Sequence, residues 1–247
     1  MVRLGIAALL VFAMFTAVQP KSSAAQDVDA EDLIRLFDAV ALGGSGNEQG
    51  RVFKWRSDVS VRFTGVAAVR HVGWAEAQLD ELGSLTGLTL SREDSIGADL
   101  LVVFVNTFDD VLEGRYNQLI DQFVAGEERR TALLDGFREA GAVCAGQVVA
   151  TGNRLTSGIV FVPRDQLAPV VRSCISAQFA RVMGLPFAAS ERTDSALAES
   201  SPHSHLTTLD RALLRLLYHP RMKAGLSRTD ALTIARSVLP ELLTSAQ

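Results

Sequence analysis

Apolar positions along the chain alternate between helical and strand spacing in a definite order. Leu33, Leu36, Phe37 and Val40 recur at helical intervals and predict an amphipathic helix over Asp29 to Leu42. Gly43 to Gly50 then breaks all periodicity, as a flexible connector does, so this first helix is expected to lie peripheral to a domain beginning near Arg51. Val52 to Trp55 and Val59 to Phe63 read as paired strands, Ala67 to Leu85 as a helix, and Leu88 to Leu90 as a short strand. Asp99 to Val105 reads as a buried strand, an apolar run rich in β-branched residues. Phe108 to Phe137 is charged and interrupted by Gly114, Gly126 and Gly136, which predicts two or three short helices.

Gln147–Ala150 and Ile159–Val162 are strands around a turn at Gly152-Asn153. Pro163 is expected to open a long helix running to Met183, capped by Gly184 with Pro186 beyond. Two helices follow. Thr207 with Asp210, and Ser227 with Asp230, have the spacing of a capping box at each start. Strands before the long helix and helices after it describe an α+β domain with a small mixed sheet.

Composition adds an address. Arg3, the apolar run Leu4 to Val18 and the small residues Ser23-Ala24-Ala25 form a secretory signal-peptide pattern, with cleavage expected near Ala25 and a periplasmic or secreted product. The apolar run is shorter than the roughly 20 residues a membrane span needs, and no later segment approaches that length. Loss of residues 1–25 removes Arg3 and Lys21, leaving 22 basic and 28 acidic side chains. A net negative chain without basic runs argues against nucleic acid as a partner. The two cysteines, Cys144 and Cys174, form an even pair in a chain bound for an oxidising compartment and are expected to be bonded.

The stretch Cys174 to Pro186, a helix ending in Gly-Leu-Pro after the strand Gly158–Val162, resembles the motif helix of zincin metallopeptidases. Their H-E-x-x-H motif sets two zinc-binding histidines one turn apart and a glutamate as general base. In that frame the ligand positions are Ala177 and Arg181 and the base position is Gln178. Alanine cannot ligate, arginine repels a cation, and a neutral amide cannot take a proton. The resemblance therefore implies a zincin-like fold with a degenerate motif, no catalytic residue and no cofactor.

A second block narrows the resemblance. Leu206-Thr-Thr-Leu-Asp-Arg-Ala-Leu-Leu-Arg-Leu-Leu-Tyr218 is similar to the C-terminal signature of a family of secreted bacterial proteins, domain of unknown function 2927. Cys174, Gly184, Leu185 and Pro186 match that family's preceding helix, whose paired glutamates and glutamine fall on Ala177, Gln178 and Arg181. Its Ser-Ile-Phe-Asn segment is not recognisable between Glu191 and His205. The same block also reads as an ordinary apolar stripe with caps and a turn.

Other chemistry is sparse. His203 and His205 are weak metal candidates, with Glu191, Asp194 and Glu199 as possible oxygen donors and His219 nearby in sequence. His71, at the head of a helix, is expected at the surface. No Gly-x-Ser-x-Gly elbow and no phosphate-cradling loop occurs. The expected role is binding of a peptide or protein in a groove between the edge strand and the long helix. The alternatives are a hydrolase using residues outside the lost motif, or a structural envelope protein docking a partner.

Overall fold

The computed structural model describes residues 29–65, 68–94, 97–124, 126–138, 144–164, 166–190, 192–198 and 201–244. The signal-peptide pattern lies outside these residues, as do Glu191 and Glu199. Five strands form one sheet: β1 (Val59–Gly65), β2 (Leu90–Arg92), β3 (Leu100–Val105), β4 (Ala145–Thr151) and β5 (Arg154–Pro163), in the order β2-β1-β3-β5-β4. All neighbours run parallel except β4, which pairs antiparallel with β5 through the tight turn at Gly152-Asn153 and forms one edge.

The apolar runs of β3 and β5 are explained by burial on both faces. Leu100, Val102 and Phe104 enter one core with Val160 and Val162, while Leu101, Val103 and Val105 enter another with Ile159 and Phe161. The period of two in side-chain direction divides each strand between the two. The larger core is closed by α1 (Ala30–Phe37), α2 (Ala68–Thr86), α6 (Ala168–Val182), α7 (Thr208–Tyr218) and α8 (Arg228–Thr244). The smaller is closed by α3 (Phe108–Leu112), α4 (Asn117–Phe123) and α5 (Glu127–Arg138), the expected trio of short helices. The chain is thus a mixed α/β fold whose sheet carries helices on both sides.

Four expectations fail, each for a physical reason. The first helix is not peripheral: Leu33, Phe37 and Val40 are fully buried, and a π-helical turn (Asp38–Leu42) extends it into the core. The glycine-rich connector folds back on that turn, with Asn47 Nδ2 donating to Leu42 O at 3.0 Å. Val52 to Trp55 is no strand. It makes single bridges at Arg51 with Ser227 and at Lys54 with Arg154, and its apolar residues serve the core. Pro163 ends β5 instead of opening α6, a position where its missing N–H costs no ladder bond. The helix begins five residues later, at Ala168, with a proline in its first turn. His71 is buried, its ring stacked on Phe104 with centroids 6.0 Å apart.

Candidate functional site

The motif frame lies on α6, and its C-terminal end is bolted to the rest of the fold. The Trp55 indole donates to Val182 O at 2.9 Å, and the Tyr218 hydroxyl donates to Met183 O at 2.8 Å. Burial pushes the Tyr218 phenol well above its ordinary pKa. Gly184 has φ 111°, and a Cβ there would stand 2.3 Å from Phe53 O. Only glycine fits that turn without displacing backbone. The Gly-Leu-Pro sequence thus serves the helix ending, and Tyr218 at the end of α7 serves it too.

On the other side, α6 meets the edge strand β4. Cys144 and Cys174 are bonded, with Cα atoms 5.9 Å apart, and tie the start of β4 to the middle of the helix. Ala177 is 9% exposed and Gln178 4%, and Arg181 is half-buried. The Gln178 amide donates to Cys144 O at 3.5 Å. A Cβ on Gly146 would come within 2.9 Å of Gln178 Oε1 and 3.1 Å of Val160, so the glycine lets the strand close onto the amide. At the position that the zincin resemblance gives to a glutamate, a glutamine fills a helix–strand seam. Buried amides are stable when their hydrogen-bonding groups find partners, and this one reaches the carbonyl just before the strand.

The next face of α6 carries a polar chain invisible in the sequence. The Ser176 hydroxyl lies 3.1 Å from Gln78 Oε1 and 3.0 Å from Ser204 O, its single proton shared between them. Gln78 continues to Glu81 at 3.5 Å, and Glu81 accepts from Arg211 Nε at 2.6 Å. Ser173 donates to Ser201 O at 2.7 Å. Two serines one turn apart thereby strap the loop after α6 along the helix.

That loop holds the histidines but does not bring them together. His203 Nε2 meets Thr193 O at 2.8 Å, whereas the His205 ring packs edge-on against Trp74 with centroids 5.7 Å apart. His219 accepts from Arg221 N at 3.2 Å, and Asp194 pairs with Arg192 at 2.7 Å. The Arg192 guanidinium holds Asp194 below its ordinary carboxylate range. Among the described residues no three His, Cys, Asp or Glu side chains gather as a metal would require.

Asp210 was legible only as a capping residue. The capping box with Thr207 is present. The fully buried carboxylate also accepts from Ser195 Oγ at 2.6 Å and from Ala196 N at 2.8 Å. It pins the buried segment Ser195–Ala198, which lies in the interval where the Ser-Ile-Phe-Asn segment was sought and keeps only its serine. A carboxylate with four donors satisfies its own desolvation and knits the loop to α7.

The family model described as Protein of unknown function (DUF2927) matches residues 30–237, and the chain belongs to that family. No curated protein matches it. The matched span begins at α1, in keeping with the burial of that helix in the main core. Among the described residues no helix is long and apolar enough to cross a membrane.

Proposed function

We propose that this chain is a non-catalytic, zincin-like binding domain of the periplasm or cell exterior that takes up an extended segment of a peptide or protein along β4. The observation that carries the reading is the composition and position of that strand. Seven residues long, Ala-Gly-Gln-Val-Val-Ala-Thr contains no charge and no proline, yet forms an edge of the sheet with only Ala145 buried. Edge strands ordinarily carry such residues to discourage pairing, and one without them is a template for an added strand. Main-chain pairing needs no metal, so it survives the loss of the motif.

An antiparallel edge strand lying beside the helix with the motif frame supports the zincin-like part of the reading. Burial of Gln178 in the seam moves the expected binding surface from a groove floor to the strand's outer rim. The disulfide is in keeping with an oxidising compartment. The test is selection of peptide binders from a displayed library, followed by hydrogen exchange on the purified protein. Added protection should concentrate in Ala145–Thr151. Binders that protect other strands and leave β4 unchanged would overturn the proposal.

A further inference from the structure

A second polar region lies beyond the C-terminal end of α6, assembled from three stretches far apart in sequence. Val52 N donates to Leu226 O at 3.1 Å, Gly225 N to Val52 O at 2.8 Å, and Leu155 N to Lys54 O at 3.1 Å. These bonds gather Arg51, Lys54, Arg56, Arg154 and Lys223 onto neighbouring backbone in a chain whose net charge is negative. Arg51, Arg56, Arg154 and Lys223 are exposed, and Lys54 is half-buried within electrostatic reach of Lys223 and Arg56.

None of the five has a carboxylate within 4 Å among the described residues. Of the carboxylates near in sequence, Asp58 accepts from Thr89 N at 2.8 Å, Asp230 accepts from Ser227 Oγ at 2.6 Å, and the charge of Glu48 acts on Arg228. Lys54 Nζ donates one proton to Leu217 O at 3.0 Å and stands 5.2 Å from the Tyr218 ring centroid, leaving further N–H donors unassigned. Burial, followed by the charges of Lys223 and Arg56, lowers its pKa to about 8. A protein that assembles cations and withholds counter-charge leaves a site whose missing partner is an anion.

We propose that this region binds a polyvalent phosphate, with Lys54 as the central ligand and Arg56 and Lys223 as flanking charges. Clustered ammonium and guanidinium groups match several phosphate oxygens at once, and a recessed lysine favours a compact group over a bulky carboxylate chain. The phosphate can come from a free polyphosphate or from a lipid headgroup.

The chain has only three lysines, Lys21, Lys54 and Lys223, so amine labelling reads the site directly. Labelling of Lys54 at pH 8 is followed by mass spectrometry with inorganic pyrophosphate, phosphatidylglycerol vesicles, phosphatidylcholine vesicles or polyglutamate. A bound phosphate raises the Lys54 pKa, and a rise of one unit slows labelling about fivefold. Slowing by pyrophosphate assigns a free anion, and slowing by phosphatidylglycerol alone assigns a headgroup. Arg56→Gln with Lys223→Gln should abolish either effect while circular dichroism stays unchanged. Arg56→Gln alone, at an exposed position, should weaken it if the pair disturbs folding. Equal rates under all conditions, or slowing by polyglutamate alone, would overturn the proposal.

Discussion

Gln178 and Lys54 mark two polar regions that use α6 differently. At Gln178 the protein turns its hydrogen-bonding capacity inward: the amide reaches Cys144 O, a disulfide closes beside it, and Gly146 makes room. At Lys54 the protein brings like charges together and supplies no carboxylate among the described residues. The first region carries the positions that resemble the zincin motif, yet it behaves as core. The second resembles no motif, yet it holds unmatched donors. A motif resemblance thus says less about what faces outward than the partners each polar group finds.

The strongest test of the inward-turned region is loss of its cross-link. Cys144→Ser with Cys174→Ser releases a 30-residue separation, and the stability measured in urea should fall by about 3 kcal/mol. A loss well under 1 kcal/mol would mean that the seam holds without covalent help. A smaller effect is expected from Gln178→Glu, which restores the zincin base in nearly the same shape. Burial and the facing Cys144 carbonyl both disfavour a carboxylate, so this variant should lose about 2 kcal/mol, and more at pH 7 than at pH 4. A neutral outcome would show water reaching the amide, and would reopen the groove.

The gentlest probe reads the Lys54 region by pH. Lys54 falls from 10.5 to about 8 on folding, so between those values the unfolded chain binds more protons. Stability should therefore rise from about pH 8 towards 10. Tyr218 acts oppositely. Its raised pKa keeps the folded phenol protonated while the unfolded one ionises near 10, so its contribution is full below that pH and is lost above it. Urea titrations at pH 7.5, 9 and 10.5 should show a rise and then a turn-over. Lys54→Gln should remove the rise and keep the turn-over. A profile unchanged by Lys54→Gln would show that its amine is well solvated.

Legibility from sequence followed the range of the interaction. The capping box at Thr207, the buried run in β3, the β4–β5 turn and the cysteine pairing were all readable, because local spacing or simple parity specifies them. Burial of His71 was not readable, since its partner Phe104 lies on a strand 33 residues away. The helix start near Pro163 misled because a proline that opens a helix also suits the last residue of a strand, and the β-branched run before it decided the matter. Of the motif frame, the absence of ligand side chains was plain, but the seam around Gln178 depends on Cys144 and Gly146, just before and at the start of β4 and far away in sequence. The cations around Lys54 are dispersed along the chain, so no window of sequence contains the cluster.

One feature of the fold bears on how it is made. The first and last helices meet: Asp38 pairs with Arg228 at 2.5 Å, Glu31 lies 3.7 Å from Arg236, and both helices feed the larger core. An isolated segment as short as α1 with its π-helical turn is marginal in water, so its shape depends on the partners it packs against, α7 and α8 among them. In chain order α1 precedes α7 and α8 by most of the domain, so its apolar face is fully covered only once those helices have followed it. Shortening the chain before Arg228 should leave a polypeptide that no longer closes, however intact its sheet sequences are.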